Sequence, residues 1–467
     1  MHNSGKKSEV GLIRQLGLFD STMMMVGIVI GSGIYLTTGI MAKSIPSAGL
    51  ILLAWAVGGI LILAGALTYA ELGTALPEAG GQYVYLREAY GPLWGFLFGW
   101  KMFLVNMTGS IAALGIAFAV YFGHFFPSLS TQKTIFSTAI TVFKKKFEYS
   151  LSMGQLVAVA VILILSTFNY LGVSFGKTIQ NILTVIKIGT MLVFIALGFF
   201  AVKGTPVDFS LNPAGFNFGQ LITGFGVALI AVSWAFDGWN NINYVAGEIK
   251  NPKRNLFFAL VFGTIGITVL YILMNYVYFL AVPVKEMAGV VPIAEKVFTI
   301  LYGPTAAGLI SAVVLISVLG AMNGAIFVGP RVYYAMARDK LFFQKVGKVH
   351  PRFKTPGFSI LLQAVWASIL ALTGTFEQLI TFAMFAGVLF WVVAAAAVFT
   401  LRKKRPDLPR PYKTWGYPVV PMLFIIALSG VLLNSLIQKP VESLTGLGFL
   451  LIGVPVYYLW RKKTTEP

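Results

Sequence analysis

The apolar positions of this sequence fall into long runs separated by short polar segments. Each run is about 20 residues long, which is the length at which an α-helix crosses a bilayer. Only 11% of the residues are charged, whereas soluble domains carry about 25%, and the mean hydropathy is +0.81. The pattern predicts an all-α integral membrane protein with about twelve spans, at 20–42, 50–72, 93–121, 154–171, 178–202, 219–247, 256–282, 304–338, 358–375, 377–401, 418–438 and 444–460.

The first span is interrupted by Gly31-Ser32-Gly33 at a point where a membrane helix should be most regular. Such a run lets the backbone leave the helix and frees amide and carbonyl groups that hydrocarbon cannot satisfy. A helix that restarts after the break presents free N–H groups and the positive end of its dipole. The pattern therefore predicts a ligand site at this break.

The sixth span contains a second interruption, Asp237-Gly238. Asp237 is a buried ionisable group at this depth, and it either contributes to a site or caps a helix at a packing kink. Trp234 and Trp239 flank the pair, and each alone is also typical of a lipid-facing or core aromatic residue. Glu248 near the end of this span is followed by basic residues and is expected at the membrane interface.

Two lysines lie within spans and have different expected environments. Lys187 is about ten residues from either end of its helix, roughly 14 Å from water at about 1.5 Å per residue. A charge there costs several kcal/mol unless it is paired or faces a wet cavity, so Lys187 either serves the site or bridges unwound carbonyls for stability alone. Lys101 lies near a helix end, where it is expected to reach the aqueous phase. Asn323, in the middle of span 8, is a further candidate for a cavity.

The two interrupted spans are each the first of five, and five is an odd number. An odd number of spans inverts the second half relative to the first, and paired interrupted helices in corresponding positions indicate a secondary transporter. We therefore expect a first repeat at 20–202, a second repeat at 203–401 and two accessory spans within 402–460.

The net charge of +19 is explained mainly by membrane topology. Most lysines and arginines fall in loops on the side of the N-terminus, which predicts that the terminal segments 1–19 and 461–467 are both cytoplasmic. The outer loop 122–153 is an exception, because it carries Lys133, Lys144, Lys145 and Lys146. The polar N-terminus shows no cleavable signal peptide.

The composition argues against a membrane enzyme or a metal centre. The sequence has no cysteine and three histidines, and these histidines fall in hydrophilic stretches. It contains no H-E-x-x-H motif and no phosphate-binding loop, and Gly31-Ser32-Gly33 lacks the flanking strand of a nucleophile elbow. We expect no cofactor, no metal and no nucleic-acid partner.

Several motifs resemble the amino acid–polyamine–organocation (APC) superfamily, and in particular its L-type amino acid transporter branch. The resemblance covers essentially the whole chain and rests on Gly31-Ser32-Gly33-Ile34, the Pro77–Pro92 loop, Ala235-Phe236-Asp237-Gly238-Trp239-Asn240, Gly247–Pro252 and Leu401–Pro411. It implies a five-plus-five inverted-repeat (LeuT-type) fold and alternating access for amino acids.

The resemblance also implies roles for individual residues. The substrate carboxylate would meet the N–H groups of Ser32 and Gly33, beside Gly31. The substrate ammonium would meet carbonyls near Val29 and around Trp234 and Asp237. Trp234 would close over the substrate from outside, and Lys187 would replace the sodium ion of sodium-coupled relatives. The substrate-binding residues expected from this resemblance are Val29, Gly31, Ser32, Gly33, Trp234, Ala235, Asp237 and Gly238.

The resulting hypothesis is a sodium-independent exchanger of small neutral L-amino acids. Animal members of the branch are disulfide-linked to a glycoprotein, which a chain without cysteine cannot be, so we expect a bacterial plasma-membrane protein that works alone. Three alternatives stay open: a transporter of cationic or mixed amino acids, because Asp237 can pair with a basic side chain; a proton symporter that uses Lys187; and an amino acid sensor on the same fold.

Overall fold

The computed structural model describes residues 11–142, 145–201, 207, 209–211, 213, 215–290, 292–373, 376–438 and 440–465. The side chains of 139–142, 145–149, 376–384, 442 and 462–465 are not described. Residues 1–10 of the expected N-terminal segment, Lys144, residues 202–206 at the expected junction of the repeats, and the C-terminal residues 466–467 lie outside the description.

The chain is almost entirely helical. Its α-helices are α1 Leu18–Val29, α2 Gly33–Ser44, α3 Ala48–Ala75, α4 Gln82–Tyr90, α5 Pro92–Lys101, α6 Met107–Phe125, α7 Met153–Tyr170, α8 Val173–Ala201, α9 Phe218–Ala235, α10 Pro252–Ala281, α11 Val284–Met287, α12 Ile293–Tyr302, α13 Ala306–Arg338, α14 Gly357–Thr373, α15 Phe376–Lys404, α16 Val419–Gln438 and α17 Pro440–Thr465. A π-helical turn at Met102–Asn106 joins α5 to α6, and short 3-10 helices lie at Pro127–Leu129, Asn241–Glu248 and Gln344–Gly347.

The predicted number of spans agrees with this architecture. Among the described residues, ten helices are long and apolar enough to cross a membrane, and the bent pair α1 and α2 adds an eleventh. The shorter apolar helix α14, of 17 residues, occupies the one remaining predicted span, 358–375. The all-α membrane fold is therefore confirmed.

The first span breaks where the glycines lie. α1 ends at Val29, α2 starts at Gly33, and the two axes differ by 41°. At the second interruption α9 ends at Ala235, and the chain continues through turns into the 3-10 helix Asn241–Glu248. The segment predicted as one span at 219–247 is thus an α-helix followed by a 3-10 helix. Gly238 has a φ of +95°, which favours glycine because it has no Cβ.

Small residues bring the helices around the first break close together. α1 packs against α8, α10 and α13. A Cβ added at Gly27 would lie 2.1 Å from Oγ1 of Thr184 on α8. On α3, a Cβ at Gly58 would meet Val232 at 2.4 Å, and one at Gly59 would meet Thr268 at 2.3 Å. The glycines of the second span therefore serve close helix packing.

Two features outside the spans were not predicted. The loop 122–153 contains an antiparallel hairpin of β1 Thr134–Val142 and β2 Lys145–Ser152, with Thr138 opposite Tyr149. The first strand is rich in β-branched residues, which favour extended backbone. Between α10 and α13, the short helices α11 and α12 occupy the segment that separates the predicted spans 256–282 and 304–338.

Candidate substrate site

A cavity of about 90 Å³ lies between the two helix breaks. Since one water molecule needs about 10–15 Å³ on this measure, the space admits several waters or a small solute. Most of the residues predicted for the site line it: Val29, Gly31, Ser32, Gly33, Trp234, Ala235 and Asp237. The structure therefore brings these seven residues together around one space.

The first break presents unpaired backbone donors to this cavity. α2 starts at Gly33, so the N–H groups of its first residues lack the usual acceptor four residues earlier, and that of Tyr35 donates instead to the carbonyl oxygen of Ser32 at 3.1 Å. The side chain of Ser32 does not cap the helix, which leaves the N–H groups of Gly33 and Ile34 available to a ligand. Gly33 also approaches α9 closely, since a Cβ added there would lie 2.8 Å from Cα of Ala235. The two broken spans are therefore in contact beside the cavity.

Tyr271 on α10 connects the carbonyl groups freed by both breaks. Its hydroxyl oxygen lies 3.1 Å from the carbonyl oxygen of Val29 and 3.2 Å from that of Ala235. A phenolic group has one hydrogen to donate, so only one of these carbonyls can be satisfied by Tyr271 at a time. Sequence reasoning missed this residue, although a buried tyrosine generally requires a hydrogen-bond partner.

Lys187 supports the end of α1 from α8. Its Nζ donates hydrogen bonds of 2.7 Å to the carbonyl oxygens of Gly27 and Ile30, and the side chain is fully buried. Lys187 is not among the residues that line the cavity. It therefore satisfies carbonyls that the helix break leaves without an N–H partner and contacts α1 outside the cavity.

The residues of the second break have different environments. Asp237 is partly exposed and faces the cavity, and its N–H donates to the carbonyl of Trp234 at 3.0 Å. Trp234 is half-buried and also lines the space. Gly238, in contrast, does not line the cavity but packs on α1, where a Cβ would lie 2.4 Å from Ile28.

The expectation that Lys101 reaches the aqueous phase is wrong. The side chain is 4% exposed, lines the cavity, and donates a 2.8 Å hydrogen bond from Nζ to Oδ1 of Asn106. Its position near a helix end did not predict this environment, because one of the residues beside its ammonium, Phe390, lies on the distant helix α15.

Asn323 and Glu248 also differ from expectation. Asn323 is fully buried, does not line the cavity, and joins α7, α13 and α8 through hydrogen bonds with Asn169 and Gln180. Glu248 is not interfacial but fully buried, and its carboxylate accepts hydrogen bonds from Arg331 at 2.6 and 3.1 Å. A buried carboxylate requires such a partner, and this one lies 83 residues further along the chain.

The cavity contains one cation and one anion among its lining side chains, Lys101 and Asp237. In the part of the chain that the structure describes, no group of three or more His, Cys, Asp or Glu residues could hold a metal ion. The chemistry available at the site is therefore hydrogen bonding, charge pairing and apolar contact.

Two interrupted helices around a small cavity that holds one cation and one anion, within a bundle of membrane-length helices, form the arrangement of a secondary transporter. The model of the family described as amino acid permease matches residues 16–458, and this chain belongs to that family. It is accordingly a multi-pass membrane transporter and not an enzyme.

The chain is similar over nearly its full length to named members of the family. It is 32% identical to the serine/threonine exchanger SteT of Bacillus subtilis (strain 168), over 97% of this chain and 98% of that protein. It is 31% identical to the human b(0,+)-type amino acid transporter 1, over 99% of this chain and 93% of that protein. The human large neutral amino acids transporter small subunit 2 is 29% identical, over 97% and 82% respectively. The 467 residues contain no cysteine, so this chain cannot form a disulfide bond to a heavy chain.

Proposed function

We propose that this protein exchanges small neutral L-amino acids across a membrane by alternating access, without sodium. The observation that carries the proposal is the cavity between the two breaks, which is lined by Ser32 and Gly33 at the start of α2 and by Val29 and Ala235 at the ends of α1 and α9. An amino acid carries a carboxylate and an ammonium group, and the two ends of interrupted helices complement these two charges. The amides near Ser32 and Gly33 would bind the carboxylate, and the carbonyls of Val29 and Ala235 the ammonium.

The charge of the cavity supports a neutral substrate. Lys101 and Asp237 make its lining formally neutral. The relative from Bacillus subtilis is named for serine and threonine, whereas the two human relatives are named as a b(0,+)-type and a large neutral transporter. We take the small neutral class as the principal substrate.

The position of Lys187 supports sodium independence. Its ammonium occupies the space beside the carbonyls of Gly27 and Ile30, where a cation would otherwise coordinate them. A covalently attached cation cannot dissociate with the substrate, so it would support the helix break without coupling transport to an ion gradient. Trp234, which lines the cavity, would close over the bound substrate.

Three other functions each differ from this one in a single respect. A transporter of cationic amino acids would use Asp237, which faces the cavity, as the partner of the basic side chain. A proton symporter would use Lys187 as the group that gains and loses a proton. A sensor would retain the binding site but would not move its ligand.

The proposal includes the orientation and location of the chain. Because basic residues concentrate on the side of the N-terminus, both termini would be cytoplasmic in a bacterial plasma membrane. The halves 20–202 and 203–401 would form the inverted repeat.

Uptake of a labelled substrate panel into proteoliposomes tests the proposal. Purified protein is reconstituted with internal serine, and serine, alanine, leucine, arginine and glutamate are supplied outside. We expect serine and alanine to enter fastest. Binding of these amino acids to detergent-purified protein without any uptake would instead identify a sensor.

A further inference from the structure

Lys101 and Asp237 are an opposite-charge pair that shares the cavity without direct contact. Each side chain lines the space, and the two charges attract each other electrostatically. Among the described residues, no ion pair within 4.0 Å joins them. A third group can therefore lie between or beside them.

The protein holds the Lys101 ammonium in place with several contacts. The π-helical turn Met102–Asn106 widens the helix, which places residues five positions apart on one face, and Asn106 accepts the lysine hydrogen bond. The same ammonium lies 5.2 Å from the ring centre of Phe98 and 5.3 Å from that of Phe390. Contacts of this kind stabilise a cation on aromatic faces, so Lys101 is a positioned charge at the cavity wall.

We propose that Lys101 is an internal counter-ion of Asp237 and thereby excludes cationic amino acids from the site. This inference rests on the proposed amino acid exchange and assigns its substrate selectivity to one residue. A basic substrate side chain that approaches Asp237 brings a second positive charge toward Lys101, and like charges in a poorly solvated space repel strongly. A neutral side chain leaves the pair undisturbed.

Without the lysine, Asp237 would be an uncompensated anion in a buried cavity, which is the environment that favours binding of a guanidinium or ammonium group. Removal of Lys101 should therefore add a substrate class. This gain of function separates a selectivity role from a merely structural one, because a structural lesion lowers the transport of every substrate.

The test compares arginine and serine entry into serine-loaded proteoliposomes, with potassium and valinomycin present to hold the membrane potential at zero. The variants are Lys101→Met, Lys101→Arg, and Lys101→Met combined with Asp237→Asn. Lys348→Met removes an exposed lysine outside the cavity and is the matched control. We expect the arginine-to-serine ratio to rise at least tenfold in Lys101→Met only, and to return to the wild-type value when Asp237→Asn is added.

A Lys101→Met variant that still exchanges serine with an unchanged ratio would overturn the proposal. A wild-type protein that exchanges arginine as fast as serine would also overturn it while leaving amino acid exchange intact. Glutamate uptake that depends on Lys101 would show that the lysine binds anionic substrates instead.

Thermal stabilisation by each amino acid gives a second measurement that does not require transport. Arginine should raise the melting temperature of detergent-purified Lys101→Met and leave that of the wild type unchanged. If the wild type exchanges no amino acid, the proposed function fails, whereas this arginine effect would still support the charge assignment. A folded Lys101→Met variant that arginine does not stabilise would contradict it.

Discussion

The Nζ atom of Lys187 lies 2.7 Å from the carbonyl oxygen of Ile30, the residue that caps the C-terminal end of α1. The same ammonium donates to Gly27 at 2.7 Å. These contacts connect α8 to the end of α1 next to the cavity. The helix break is therefore supported by the charged side chain of Lys187, which is a part of the protein itself.

Replacement of Lys187 by alanine should reduce exchange at least tenfold. The change leaves two buried carbonyls without a donor, at a cost of about 1–3 kcal/mol each, and the end of α1 loses its support. Initial rates of serine exchange in proteoliposomes measure the effect. Lys177→Ala removes a partly exposed lysine of the same helix, which pairs with Asp20 at 3.1 Å, and should change the rate less than twofold. Equal rates for wild type and Lys187→Ala would show that the break needs no such support.

Gly33→Ala should abolish transport while the protein remains folded and monodisperse. The new Cβ would lie 2.8 Å from Cα of Ala235, where backbone has to move, so the two broken spans must separate. Gly266→Ala on α10 is the control, because no atom lies within 4 Å of the added carbon. Size-exclusion profiles establish folding, and serine exchange gives the activity. Full activity of Gly33→Ala would show that transport does not depend on the close approach of the two broken spans.

Tyr271→Phe should raise the KM for serine severalfold. The change removes the hydroxyl that lies 3.1 Å from the carbonyl oxygen of Val29 and 3.2 Å from that of Ala235, but retains the ring that packs on Trp55 and Phe236. Tyr276→Phe, on the same helix, is the comparison variant and should retain the wild-type KM. An unchanged KM in Tyr271→Phe would mean that the hydroxyl does not order the ammonium site.

Glu248→Gln should lower the melting temperature substantially, because it leaves the fully buried Arg331 without its carboxylate partner. Breaking a buried ion pair on one side costs about 3–5 kcal/mol. The double variant Glu248→Met with Arg331→Met should be more stable than Glu248→Gln, since it removes both charges. Arg405→Met breaks an exposed pair with Glu88 and should have little effect. Equal melting temperatures for Glu248→Gln and the wild type would contradict this interpretation.

The sequence predicted the spans and the helix breaks because both depend on local composition. Long apolar runs determine the membrane helices, and Gly31-Ser32-Gly33 lies where α1 stops. Lys187 lies so far from the ends of its helix that its charge was expected to need a polar partner. The carbonyl groups of Gly27 and Ile30 are such partners.

Long-range contacts limited the rest of the prediction. The position of Lys101 in its helix gives its distance from the helix end but not which residues cover that end. The sequence therefore did not predict that Lys101 is buried. The partner of Glu248 is distant in sequence, and no local pattern reveals such a pairing. The hairpin that begins at Thr134 had a usable signal in its β-branched residues. In contrast, propensity does not distinguish a 3-10 helix at Asn241–Glu248 from an α-helix.

Obligatory exchange of neutral amino acids without an ion gradient is measured most directly by counterflow. Proteoliposomes at equal internal and external pH, in potassium buffer without sodium, receive labelled serine outside. We predict transient accumulation of label when unlabelled serine or alanine is inside, and none when the lumen is empty. Accumulation that needs sodium or an inward proton gradient, or that proceeds equally into empty liposomes, would contradict the account.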